Sequence, residues 1–319
     1  MKHLQIFQHS KELTAVADTS ARIVSTLSDN YREIIRRMVG KSEATKRTYT
    51  RNVEHFLAFI QHHGINAHTF GEYREQLATV DGVAVKTKNA YMAAAAALLR
   101  ESLKYGILPV DITANVPTFK ITRGHVKDGL TAAEVQRVAE YIRAMDDGTT
   151  RRKLGAIFHL FTMEGLRQME VQQLRVDDVN LKDGYIRIRS KGKHEREKFY
   201  IMAATAESIR RYMEAENLRA GWLFPSSSNA GEPVTLRAIR KYFTCPKYGI
   251  FARCGISGKS VHGFRHYNIT QTLKATGGDL AKTRRRSRHS GFEMLVVYDD
   301  ERLAKTDVAA LEKRFHQSL

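Results

Sequence analysis

The sequence predicts a mainly α-helical protein with one small three-stranded antiparallel sheet, built as two domains. Three observations carry this. Apolar residues recur at the 3.6 period of half-buried helices over most of the chain. The period switches to two only between Val179 and Met202. The stretch 117–129 (PTFKITRGHVKDG) holds a proline, two glycines and several basic residues with little apolar periodicity, so it is expected to be a basic linker. A length of 319 residues suits two domains of ordinary size.

Residues 1–40 are expected to form an N-terminal helical extension, with Ile34, Ile35 and Met38 as its apolar stripe and Gly40 ending it. A helical domain follows over 41–116. Its first helix opens at Ser42, buries Tyr49, Val53, Phe56, Leu57 and Ile60, and stops at Gly64. A second runs from about Phe70 to Ala78. A third runs from about Lys86 to Tyr105, and its small residues Ala93–Ala97 permit close helix approach. The larger domain covers 130–319. Thr131 and Glu134 are spaced as a capping box, a helix follows near Thr150–Met163, and a further one starts near Leu166. Val179–Leu181, Tyr185–Arg189 and Lys198–Met202 read as strands, with Ile186 and Ile188 facing the core and Ser190–Lys193 as a hairpin turn. From Glu207 the pattern is helical apart from the loop Pro225–Pro233.

Charge narrows the function. The chain carries 52 Lys+Arg against 34 Asp+Glu, a net charge of +18. Residues 1–116 hold 15 basic and 11 acidic side chains, whereas 117–319 hold 37 and 23. Such an excess argues for a polyanionic partner, nucleic acid first, and against an acidic or neutral metabolic enzyme. The longest apolar run, Tyr91–Leu99, is about half of what a bilayer span needs, and Met1–Gln5 lacks the apolar core of a signal peptide. Two cysteines, Cys245 and Cys254, make no disulfide scaffold, so a cytoplasmic location is expected. With His262 and His266 they give Cys-x8-Cys-x7-His-x3-His, which misses zinc-finger spacing, and no metal site is expected.

Four segments hold side chains that could do chemistry. Arg167 and Glu170 stand at i,i+3 in Gly165-Leu166-Arg167-Gln168-Met169-Glu170-Val171, as if on one helix face. Lys191 lies in the hairpin turn. His262 and Arg265 stand at i,i+3 in His262-Gly263-Phe264-Arg265-His266. His289 is followed nine residues later by Tyr298. Singly, each has a plain explanation: a helix-surface ion pair worth a few tenths of a kcal/mol, a solvated turn lysine, polar residues at a helix start, or a packed tyrosine.

Together and in this order they resemble the catalytic set of the tyrosine recombinases, the phage integrase family. The family's Thr-Gly-Leu/Met-Arg-x-x-Glu-Leu stretch is matched by Glu164–Val171, its hairpin lysine by Lys191, and its His-x-Leu-Arg-His by His262–His266. Its Leu-Gly-His-Ser box and later tyrosine are matched by Ser287–Ser290 and Tyr298. Trp222–Ser226 and Ala275–Leu280 are softer matches, and the likeness covers about residues 41–319. The chain departs from the pattern where Glu164 replaces a small hydroxyl residue, where Ser287-Arg288 replaces Leu-Gly, and in the strongly basic run Thr283–Arg288.

The resemblance implies a two-domain, C-shaped clamp around DNA, and a site-specific recombinase acting through a 3′-phosphotyrosyl intermediate and a Holliday junction. Arg167 and Arg265 would grip the non-bridging phosphate oxygens as bidentate guanidiniums, with His289 as a further donor. Tyr298 would be the nucleophile and His262 would help to deprotonate it. Lys191, with Lys193 as the fallback, would protonate the leaving 5′-oxygen, and Glu170 would hold Arg167. The covalent link conserves the bond energy, so no cofactor is expected, and there is no P-loop motif. Phosphate contacts are expected from Lys46, Arg47, Arg51, Lys86, Lys88, Arg237, Arg240, Lys241, Arg284, Arg285 and Arg286. The implied partners are double-stranded DNA with a specific recombination site, a homo-tetramer on two such sites, and accessory DNA-bending proteins. Val308, Leu311 and Phe315 give the tail an apolar stripe, which fits docking on a neighbouring protomer or on its own domain. Two alternatives share the fold. One is a catalytically silent repressor or accessory factor; the other is a type IB topoisomerase-like or telomere-resolving enzyme.

Overall fold

The computed structural model describes residues 2–121, 129–190, 195–289, 291, 292 and 295, and of residues 2–17 the helical backbone alone. The chain forms two compact units, Met1–Gly124 and His125–Leu319. Among the described residues, no helix is long and apolar enough to cross a membrane.

The first unit is built from α1 (Lys2–Arg36), α2 (Glu43–His63), α3 (Thr69–Thr79) and α4 (Val85–Lys104). Ser42 caps α2 by accepting the Thr45 N–H, and Gly64 ends it with a positive φ of 72°. Val53, Phe56, Leu57 and Ile60 are buried at the expected period, against Tyr73, Leu77, Leu98 and Leu99. Ala94 and Ala95 are fully buried, so α4 packs closely on α2. The stretch read as an extension joins this core: Leu27, Ile34, Ile35 and Met38 of the α1 segment are buried in it. The linker also starts later than its composition suggests. Asn89 makes two 2.9 Å bonds to the Phe119 backbone, Arg74 Nε donates to the Pro117 carbonyl at 2.8 Å, and its guanidinium lies 4.7 Å over the Phe119 ring. Residues 122–128 lie outside the described residues.

The second unit opens with α5 (Ala132–Ala144), whose capping box is Thr131 with Glu134, and α6 (Thr149–Thr162). A short α7 (Gln168–Gln172) leads to a three-stranded antiparallel sheet ordered β1-β2-β3. Its strands are β1 (Val179–Asn180), β2 (Tyr185–Ile188) and β3 (Glu197–Tyr200), with Ile186 opposite both Val179 and Phe199. Leu181 falls in the turn rather than in β1, and β3 ends before Met202. Ile186 and Ile188 face the core as expected. Then follow α8 (Ala203–Ala215), α9 (Leu236–Thr244), α10 (Ile250–Arg253), α11 (His262–Ala275) and α12 (Leu280–Ser287).

An aromatic cluster sets the start of α11. Phe264 is fully buried, with ring centroids 5.6 Å from Phe158, 5.3 Å from Phe243 and 5.4 Å from Phe251. One such ring buries 150–250 Å². It fixes the rotation of α11 and therefore the side chains on either side of it, His262 and Arg265.

Candidate active site

Helix α6 ends at Thr162, and the chain reverses through Met163, Glu164 and Gly165. Gly165 has a φ of 61°, and a Cβ added there would collide with Asn268 Oδ1. Asn268 on α11 in turn donates to the Thr162 and Met163 carbonyls, both at 2.9 Å. This close approach brings the reversal against α11.

Arg265 is 2% exposed. Its Nη1 donates to the Gly165 carbonyl and its Nη2 to the Ser287 carbonyl, so one guanidinium joins the α6 reversal to the end of α12. His289 Nε2 lies 3.4 Å from Arg265 Nη2, and His289 Nδ1 lies 2.8 Å from Ser287 Oγ. The 2.8 Å bond to Ser287 Oγ orients the ring with Nε2 towards the site; a serine hydroxyl can donate as well as accept, so this bond is compatible with the proton on either ring nitrogen.

Arg167 is not on a helix face with Glu170, as its spacing suggested. It is the residue before α7, with extended backbone (φ −76°, ψ 152°). The pair still forms, because Glu170 in the first turn reaches back. Glu170 Oε2 accepts the Arg167 N–H at 2.8 Å and Oε1 accepts Arg167 Nη1 at 2.9 Å. Oε2 also accepts Nη2 of Arg288 at 2.8 Å. Burial alone would raise the Glu170 carboxyl, but the Arg288 charge, the Arg167 N–H and charge, and Arg265 outweigh it and hold the group below the usual carboxylate range.

The structure thus brings Arg167, Arg265, His289 and Glu170 into one cluster. His262 lies exposed at the first position of α11, edge-on to His266 at 4.8 Å, and its charge bears on His289. Lys191, Lys193 and Tyr298 lie outside the described residues, as do Val308, Leu311 and Phe315.

Burial, then the charges of Arg265, Arg167, Arg288 and His262, push the His289 imidazole down to about 4. The unfolded chain, with its histidine near 6.5, takes up the proton first as pH falls. Stability is therefore expected to drop between about pH 6.5 and 4, by about 2 kcal/mol from this residue. Urea midpoints at pH 7 and 4.5 check this. If His289→Gln does not flatten the dependence, His289 is not its source.

Two departures from the family pattern meet each other. Glu164, fully buried, accepts from the Met202 N–H at 2.8 Å, the Thr205 hydroxyl at 2.7 Å and the Arg286 guanidinium. Arg286 also donates to the Tyr200 carbonyl at 2.6 Å and lies 4.3 Å over the Phe199 ring. Removing one partner of such a pair strands the other, so Arg286→Met is expected to cost about 3 kcal/mol in urea unfolding. The double change Glu164→Gln with Arg286→Met should recover most of that loss. Equal losses in both variants would show that the ion pair is not what stabilises this contact.

The basic residues proposed for phosphate contact divide into two groups. Arg47, Arg51, Lys86, Arg237, Arg240, Lys241 and Arg285 are exposed, and Arg284 lies 4.5 Å over the Phe292 ring. Lys88 is 8% exposed and donates to the Ala78 carbonyl at 3.2 Å, which removes it from the set. Arg286 leaves the set because Glu164 holds it. Lys46 donates to the Arg36 carbonyl at 2.7 Å and pairs with Glu43 at 3.2 Å. Sequence reasoning names Arg288 only as a departure from the family pattern, and the structure places it on Glu170. Its signal was visible as an arginine standing where the family has glycine.

Known proteins show the family and the fold. The phage integrase family profile matches residues 129–304. Tyrosine recombinase XerD of Staphylococcus haemolyticus (strain JCSC1435) is 23% identical over 306 residues, covering 92% of this chain and 99% of that protein. Tyrosine recombinase XerC of Mycobacterium tuberculosis (strain ATCC 25177 / H37Ra) is 24% identical over 311 residues, with the same coverage of 92% and 99%. Two solved structures share the fold. The XerH site-specific recombinase bound to palindromic difH substrate has a TM-score of 0.67 at 18% identity, covering 83% of this chain and 78% of that one. The Tn1549 transposon integrase in complex with a circular intermediate DNA has a TM-score of 0.66 at 15% identity, covering 92% and 98%. The profile spans more than half of the chain, over the segments that assemble the cluster, and the protein accordingly belongs to the phage integrase family, the tyrosine recombinases.

Proposed function

We propose that this chain is a site-specific DNA recombinase that cuts and rejoins duplex DNA through a 3′-phosphotyrosyl intermediate and a Holliday junction. The observation that carries it is the convergence of Arg167, held by the buried Glu170, with Arg265 and His289, which come from segments about a hundred residues further along the chain. A phosphodiester resists attack because its oxygens are already negative, and the pentavalent transition state is more so. Fixed donors aimed at that charge are worth about 3–4 kcal/mol each.

In this reading the two guanidiniums and His289 bind the scissile phosphate. Tyr298 attacks the phosphorus and displaces the 5′-oxygen. His262 helps to take the tyrosine proton, and Lys191 supplies the proton that leaves with the 5′-hydroxyl. Rejoining reverses these steps with a 5′-hydroxyl from the partner strand. The first unit, with Arg47, Arg51 and Lys86 exposed, would share duplex binding with the second. Four copies on two sites would complete an exchange, with accessory DNA-bending proteins as further partners.

The test is adduct formation. The full chain is incubated in EDTA and without ATP with nicked duplexes from its own genetic neighbourhood, then denatured. A protein–DNA adduct that survives denaturation, at a defined position, is the expected result. Salt-sensitive binding to the same duplexes without any adduct would overturn the catalytic reading in favour of a silent DNA-binding protein.

A further inference from the structure

Arg288 interrupts the family pattern immediately before His289, and it is placed where its charge bears on the cluster. Its side chain is 7% exposed. Its backbone is left-handed (φ 57°, ψ 41°), a conformation that favours glycine, so the sequence keeps an arginine here against local preference. One Nη2 donates to Glu170 Oε2 at 2.8 Å, and the guanidinium lies 4.3 Å over the Phe199 ring. Among the described residues its Nε has no hydrogen-bond partner.

Glu170 makes a charge problem that Arg288 answers. The carboxylate is needed to orient Arg167, which it holds by both the backbone N–H and Nη1. A buried carboxylate paired to that guanidinium alone would also cancel its charge, leaving Arg265 as the single uncompensated cation for the phosphate. With Arg288 donating to Glu170 Oε2 beside the Arg167 N–H, the charges of three guanidiniums, Arg265 included, bear on one carboxylate, a net of two positive charges. That matches a phosphodiester whose charge grows towards minus two in the transition state.

Resting on the recombinase reading above, we propose that Arg288 is a positioning residue for strand cleavage: it neutralises Glu170, so that the carboxylate orients Arg167 without spending its charge. The alternative is that Arg288 only fills space and ties down the end of α12. A double-mutant cycle separates the two, because charge compensation requires the Glu170 charge and packing does not.

The experiment uses the full chain with Arg288→Gly, Arg288→Lys, Glu170→Gln and the double variant Glu170→Gln with Arg288→Gly. Glycine suits the left-handed backbone, and thermal melts establish that each variant folds. Single-turnover cleavage of a nicked duplex is followed across pH, and the His289 titration is followed by NMR without DNA. Arg288→Gly is expected to slow cleavage about 10²-fold. Arg288→Lys should recover at least about tenfold of this, because the charge remains. Within the Glu170→Gln background, Arg288→Gly should cost less than about threefold. His289 should titrate at higher pH in Arg288→Gly than in wild type.

The proposal is overturned by an equal loss in both Glu170 backgrounds, or by a lysine variant no better than glycine. A wild-type chain that forms no adduct would sink the recombinase reading. The Arg288 inference is then decided by NMR: an upward shift of His289 in Arg288→Gly supports charge placement at the cluster, and an unmoved titration overturns it.

Discussion

A Tyr298→Phe chain is expected to bind its DNA with the affinity and salt dependence of wild type and to form no covalent adduct, a loss on the order of 10⁴–10⁶-fold in cleavage. Binding is set by cations that neutralise phosphates, and the phenolic oxygen contributes none of that charge. In the proposed mechanism cleavage has no substitute route, since the covalent bond would be made by the oxygen that phenylalanine lacks. A phenol with a pKa near 10 is mostly protonated at neutral pH, so wild type also depends on a neighbour to take the proton. His262, exposed at the start of α11, has the chemistry for this. Gel analysis after denaturation, beside filter binding over a salt series, checks both halves. An adduct that persists in Tyr298→Phe would assign the nucleophile elsewhere.

Arg265→Lys is expected to lower single-turnover cleavage about 10³-fold and to destabilise the second unit by about 2 kcal/mol. The stability loss has a local cause. The buried guanidinium satisfies the Gly165 and Ser287 carbonyls at once, while an ammonium on a shorter fork reaches one. The rate loss has a second cause under the proposed function, because the planar fork that would grip two phosphate oxygens becomes a point charge. Urea unfolding and cleavage rates measured on the same preparations separate the two. Wild-type cleavage in a destabilised Arg265→Lys chain would remove Arg265 from the phosphate clamp and leave it a structural strut.

Local signals in the sequence located most of the elements. Ser42 with Gly64 bracketed α2, Thr131 with Glu134 opened α5, and the alternation around Ile186 and Ile188 marked β2. The order of arginine, histidine and tyrosine marked the cluster, of which Arg167, Arg265 and His289 meet in the structure. What escaped was tertiary. Lys88 stands on what looks like a solvated helix face, yet it turns inward to the Ala78 carbonyl. Phe119 sits in a stretch with linker composition but is bound by Asn89. The basic run before His289 reads as a source of phosphate contacts through Arg284, Arg285 and Arg286. Arg286 and Arg288 instead pair with Glu164 and Glu170, about 120 residues earlier, and no periodicity encodes such a pairing.

The single guanidinium of Arg265 reaches back 100 residues to Gly165 and forward 22 to Ser287. Contacts of such separation close late, after the loop entropy of the intervening chain has been overcome. A nascent or partly opened second unit therefore carries its positive charge before Arg265 joins Gly165 to Ser287. Under the proposed function, attraction to DNA comes from composition and is present from the start, whereas the capacity to break a strand would arrive only with the completed fold. On that reading, the same long-range contact that places the arginine would act as a safety interlock, keeping an unfinished chain from breaking DNA.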